Sequence, residues 1–245
     1  MNLLQLRTKL IQLSGRFDLV VDAPAGDYSD NGADFFINEG QKHLDRLDET
    51  QKSWASCFRF VEIGGFAAQV PYCRAIKEVW AMSTSERWQL EKVSLQDLIA
   101  GYLTSLPSER SQGSPAYYSP GLTRYIPENA PAADFESFIC WVDIPAGAHE
   151  YNTILLDVPS SEKIALDVKG LFYTRVLTSD TDENHWSVAH PLLLIMSAQR
   201  QMEVINRNTQ GVNDWDNAIG VEMKQLGMDL VEELIAGVSS MESEI

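Results

Sequence analysis

"IALDVKGLFYTRV" (164–176) decides how this chain is read, because its β-branched and aromatic residues favour a strand. The segments just upstream carry the same signature: "FESFICWVDI" (135–144) and "YNTILLDV" (151–158). Together they predict a strand-rich block over 135–177. Further upstream, "CFRFVEI" (57–63) alternates in the manner of a half-buried strand, and "AIKEVWAM" and "RWQLEK" flank the polar "STSE" (83–86) as a β-hairpin would. Between the two blocks, residues 104–134 are proline-rich with little periodicity, and "GSPAYYSP" (113–120) reads as extended.

Helical periodicity brackets these strands. Leu3, Leu6, Leu10 and Leu13 recur at helical spacing and Gly15 stops them. A second helix is predicted over 33–48, with Phe36, Ile37, Gly40, Leu44 and Leu47 on one face. A third is predicted over 94–103, capped by Ser94 with Asp97 three residues on. Two long helices are predicted to close the chain, over 186–207 and 213–237, joined by the turn "NRNTQG" (206–211) into an αα-hairpin. The resulting expectation is α+β: a helical bundle core of two N-terminal helices, a middle helix and a C-terminal αα-hairpin, carrying a strand-rich insertion. The divisions are 1–50 with 178–245 as the helical core, 54–103 as hairpin plus helix, and 104–177 as the extended and β-rich insertion, all in one integrated domain.

Composition limits the function. The 245 residues carry 44% hydrophobic and 22% charged residues, ordinary for a folded protein, but a net charge of −16. From Val176 onward, 12 Asp/Glu face 3 Lys/Arg. That balance argues against gripping nucleic acid by its phosphates, which needs clustered cations. Cys57, Cys73 and Cys140 have no metal spacing and read as buried, reduced thiols. The opening "MNLLQLRTKL" lacks a secretory pattern, and "LLLIM" (192–196) is far short of a membrane span, so a cytoplasmic product is expected.

Two stretches imitate calcium loops. In "DYSDNGADFFINEG" (27–40), Asp27, Ser29, Asn31 and Gly32 fit positions 1, 3, 5 and 6, but Asn38 stands where a bidentate Glu is required and Asp34 where an apolar residue belongs. The simpler reading is a helix start, with Asp30, Asn31 and Asp34 as caps and dipole partners and Asn31→Ala costing about 1 kcal/mol. "DTDEN" (180–184) fails likewise, with His185 in place of Gly, leaving Asp182 as an acidic helix boundary. His43, His149, His185 and His190 lack a metal-pair spacing, and no phosphate-binding, nucleophile-elbow or zinc motif occurs, so no catalytic residue, metal or cofactor is expected. The last helix carries Trp215, Ile219, Met223, Leu226, Leu230 and Leu234 as one apolar stripe, followed by Met241 and Ile245 in a polar tail.

Several segments, in order, resemble the head–tail adaptor (connector or neck) proteins of tailed bacteriophages. They are "LRTKLIQLSGRFDLV" (6–20), "DNGADFFINEGQKHLDRL" (30–47), "CRAIKEVWAM" with "RWQLEKVSLQDLIAGY", "GSPAYYSP", and the run from Thr153 to Val204. The stretch 131–150 is extra to that pattern. The resemblance implies a non-enzymatic virion protein forming a ring, typically of twelve copies, beneath the portal at the capsid vertex. Its partners would be the portal protein, neighbouring copies and tail or tail-completion proteins, with DNA passing through without sequence-specific contact and no membrane involved. The stripe from Trp215 to Leu234 and the tail with Met241 and Ile245 would be candidate portal or inter-subunit contacts. A tail-completion, tail-tube or baseplate component is the alternative, and an acidic enzyme with an unrecognised site the remaining one.

Overall fold

A computed structural model describes residues 1–48, 54–102, 111–122 and 152–239. The chain divides into two units, one of Met1–Thr50 with Thr174–Ile245 and the other of Gln51–Tyr173.

In the first unit, α1 (Leu3–Ser14) starts at a reciprocal cap. Gln5 N–H donates to Asn2 Oδ1 (2.9 Å) and Asn2 N–H to Gln5 Oε1 (3.1 Å), two orphan donors satisfied at once. It stops at Gly15, whose φ of 69° is the left-handed conformation that glycine adopts without strain. Leu3, Leu6, Leu10 and Ile11 are buried, whereas Leu13, expected on that face, is exposed. The polar connection that follows folds into a two-stranded antiparallel hairpin, β1 (Val20–Asp22) and β2 (Asp27–Asp30). α2 (Ala33–Leu47) buries Phe36, Ile37 and Leu44, while Leu47 is exposed.

The expected single helix over 186–207 is two, labelled below α4 (His185–Ala189) and α5 (Pro191–Ile205). The break is chemical: Pro191 removes a backbone donor, and the residue before it is pushed out of helical geometry, with His190 at φ −135°, ψ 54°. α6 (Thr209–Ser239) ends the described chain. Gly40 of α2 meets α5 at close range, and Ser197 Oγ donates to the Gly40 carbonyl (2.8 Å).

Three polar residues of α2 hold the segment by which the chain re-enters this unit. Asn38 exchanges two 3.0 Å hydrogen bonds with the backbone of Leu177. Gln41 Nε2 donates to the Thr174 and Arg175 carbonyls. Asp45 accepts from Thr174 N–H (2.9 Å), Thr174 Oγ1 (2.7 Å) and the buried Trp186 Nε1 (2.7 Å). Arg7, 2% exposed, is neutralised by a fork to Asp34, a bond to Asp180 and another to the Tyr28 carbonyl, which is what lets a charge sit there.

The second unit overturns the expected architecture. It contains β3 (Trp54–Val61), β4 (Ala67–Val70), β5 (Cys73–Met82), β6 (Arg87–Lys92), β7 (Tyr117–Leu122), β8 (Asn152–Leu156) and β9 (Ile164–Phe172). These form one seven-stranded mixed sheet in the order β3-β9-β5-β6-β7-β8-β4. It is nearly closed: its two end strands, β3 and β4, join through a tight turn in which Gly65 N–H donates to the Glu62 carbonyl (2.9 Å). Every pairing is antiparallel except β6–β7. α3 (Leu95–Tyr102) lies against β7, bringing the described helices to six.

The protein is therefore not a helical bundle carrying an inserted β block. The strands expected as separate pieces at 54–103 and 104–177 share one sheet and one core, formed by Val79, Tyr118, Ile154, Leu166 and Val168 among others. β9 makes this possible because it pairs with β3 on one side and β5 on the other, long-range contacts that local periodicity does not encode. The expected strand "FESFICWVDI" lies outside the described residues.

Gly170 of β9 sits where a Cβ would come within 2.2 Å of the Ala75 carbonyl oxygen, beside irregular register in β5. Backbone cannot move aside as a side chain can, so Gly170→Ala is expected to cost about 1–3 kcal/mol or more. Gly220, with nothing near its missing Cβ and helical neighbours, provides the contrast: Gly220→Ala is expected to be neutral or to stabilise by up to about 1 kcal/mol. Urea melts of the two variants check this.

Candidate functional site

The C-terminal stripe is first a packing surface. Ile219 is fully buried, and Trp215, Met223 and Leu226 pack, partly buried, against the helical core. Leu230 and Leu234 belong to α6, but their side chains, together with Met241 and Ile245, lie outside the described residues. Trp215 keeps one wall of an open groove of about 610 Å³, shared with Leu13, Leu192, Met196 and Met202.

A polar clamp fixes the start of α6. Arg200 of α5 forks onto Asp216 (2.8 and 3.2 Å), and His43 Nε2 of α2 lies 3.6 Å from the same carboxylate, just beyond a hydrogen bond. Burial lowers the His43 pKa from its usual 6.5, Arg200 and Arg46 push the same way, and Asp216 opposes them. The unfolded chain therefore takes up this proton more readily than the folded one. The His43 contribution to stability is complete above pH 6.5 and is lost as pH falls through the lowered folded value. Melting temperature is expected to drop between pH 7 and 5, and His43→Gln to flatten that drop in a pH series followed by circular dichroism.

The capping residues divide differently from the expectation. Asp30 is the acceptor at the start of α2: its Oδ1 receives Gly32 N–H (3.1 Å) and Asp34 N–H (2.9 Å). Asn31 instead donates its amide to the Asp18 carbonyl (2.9 Å), across the hairpin. Gly32, at φ 115°, occupies the cap position with no side chain to offer, which leaves the carboxylate two residues earlier to reach over. Asp34 is taken by Arg7. Ser94 Oγ accepts from Asp97 N–H (3.1 Å) and donates to its carboxylate (2.6 Å). Asp182 accepts from Ser179 N–H and from both donors of Thr178, which draws its carboxyl below the usual range, and the α4 cap is Asn184. Asp30→Ala is thus expected to lose about 1 kcal/mol, as a lost N-cap does, whereas Asn31→Ala loses less; paired denaturant titrations separate them.

Two exposed surfaces stand out instead. The span Phe17–Phe35, which includes the β1–β2 hairpin, holds five aspartates and no Lys or Arg, and it leaves Phe17, Val21 and Phe35 between 54% and 61% exposed. On the second unit, β3 alternates so that Val61 points into the core with Cys57 packed against it, while Phe58 and Phe60 are 56% and 69% exposed. Sequence alternation marks these two faces. It does not say which is inside, and the larger aromatic set turns out to be outside because register with β9 places Ile164, Leu166 and Val168 in the core. Arg87 lies 4.9 Å over Trp80, and Lys163 5.4 Å over Phe60.

Among the described residues, no group of three or more His, Cys, Asp or Glu is placed to hold a metal ion, and no helix is long and apolar enough to cross a membrane. No protein-family model matches the chain, and no curated protein matches it significantly.

Proposed function

We propose that this chain is a structural subunit of a tailed-phage virion, a head–tail adaptor that assembles as a ring beneath the portal, extends the DNA channel and offers the tail an attachment surface. The observation that carries the reading is the apolar area left exposed on both units of a single copy, on Phe17, Val21, Phe35, Phe58 and Phe60. Large exposed apolar residues in clusters belong to subunits that finish burying their surface in an assembly. The ordered resemblance from Leu6 to Val204 supplies the kind of assembly.

The charge is compatible with this role. The unit of residues 1–50 and 174–245 holds 9 Lys/Arg against 21 Asp/Glu, and an acidic wall lets a duplex slide past instead of adsorbing. In this reading the chain is not an enzyme, works in the virion neck after synthesis in the host cytoplasm, and needs no cofactor. The open side of the groove at Trp215 is the surface offered to the portal.

The nearly closed seven-stranded sheet favours a second reading, a tail-completion or tail-tube component, since such parts are dominated by β structure. Mass photometry and cryo-electron microscopy of the full chain, alone and mixed with portal, separate the two. The adaptor reading expects a ring seated on the portal. A chain that stays monomeric and never joins the portal overturns it, and a ring that joins only tail proteins supports the second reading.

A further inference from the structure

From the two exposed surfaces we infer that neighbouring copies join head to tail, the acidic hairpin region Phe17–Phe35 of one copy docking on the cationic aromatic sheet face of the next. The inference rests on the adaptor reading and identifies the contact that would close its ring.

The sheet face is built by register. β3, β9 and β5 lie side by side, with Phe58 opposite Asp167 and Asp167 opposite Trp80, so all three share the outward side. Lys169, two residues along β9, also points outward, opposite Ser56 and Glu78. Three of the four rings on this side carry a cation: Lys77 lies 6.0 Å from Trp54, Lys163 5.4 Å from Phe60, and Arg87 and Lys169 lie 4.9 and 5.9 Å from Trp80. Glu62, Glu78 and Asp167 pair with Lys163, Lys169 and Arg87, so these seven charged groups sum to one net positive charge, that of Lys77, within a chain of charge −16.

The hairpin region offers the complement. Asp22, Asp27 and Asp30 are exposed without a cation against them, Asp18 is paired with Arg16, and Val21 and Phe35 are the exposed apolar anchors of the region. Apolar groups on each side supply the burial, and opposite charges fix orientation and speed encounter. The occupant is a second copy because both halves of the complementary pair are written on one chain. They are two different surfaces, so the contact is heterologous, and such contacts generate rings when the rotation closes.

The test uses full-length chains in mass photometry, at low and high salt, with circular dichroism to establish folding. Phe60→Ser and Val21→Ser, both at well-exposed positions, are each expected to weaken association about tenfold or more, as loss of an apolar anchor does. Lys163→Glu with Lys169→Glu is expected to abolish association at physiological salt, as is Asp22→Lys with Asp27→Lys. A chain carrying all four reversals is expected to regain it. Oligomers that form equally well in all folded variants overturn this contact and leave the adaptor reading standing. A wild-type chain that remains monomeric with and without portal overturns both. Association that survives the anchor substitutions but is lost on either charge reversal, with no rescue by the combined chain, also overturns the pairing.

Discussion

Everything in the helical unit depends on how α2 holds the returning chain. Asn38, Gln41 and Asp45 recur at spacings of three and four, so they share one face of the helix, and they take up backbone and side-chain groups of residues 174–177. A segment outside any helix or sheet would otherwise leave its buried donors and acceptors unpaired, at about 1–3 kcal/mol each. With those groups satisfied, α5 can pack against α2, and α4 and α6 against α5. Asp45 ties the arrangement to the core through Trp186, whose indole is 2% exposed and whose Nε1 needs an acceptor there.

That clasp also explains how a chain can leave its helical unit after Thr50 and resume it at Thr174. The excursion folds a sheet with its own core, and β9, its last strand, is also its organiser, lying between β3 and β5. Arg7 does for the front of the helical unit what Asp45 does for the back. It joins α1 to the hairpin carbonyl of Tyr28, to Asp34 in α2 and to Asp180, which is 173 residues further along the chain. Both devices are buried charges made tolerable by full hydrogen bonding, so removing a partner harms more than the pair itself stabilises.

The same economy of polar groups accounts for the two stretches that imitate calcium loops. Their acids are already engaged: Asp27 with Ser29 N–H, Asp30 with the start of α2, Asp34 and Asp180 with Arg7, Asp182 with Thr178 and Ser179. What remains outward is charge without a coordination shell, which suits an assembly surface. The proposed docking would add the exposed Phe58 and Phe60 of β3 and the exposed Phe17 and Phe35 flanking the hairpin, since apolar side chains flanked by charge give a contact both energy and direction.

Local physics made much of this legible in advance. The stop at Gly15, the Ser94–Asp97 cap and the strands at 57–61, 75–82, 87–92 and 164–172 each follow from residues within a few positions of one another. The break at Pro191 was equally local, and a reading by apolar periodicity alone passed over it. Other features arise only from chain distances of 80 residues and more. The joining of both strand blocks in one sheet, the outward turn of Phe58 and Phe60, and the use of Asn38, Gln41 and Asp45 as a clasp all belong here, because periodicity states that a segment has two faces but not what will lie against either. Local residue patterns account for most of the helices and strands, for the acidity and for the spacing of polar residues along α2. Which face became core, which became surface, and that the middle of the chain builds one sheet with its own core were settled by tertiary contacts, since pairing partners are chosen by burial across the whole fold.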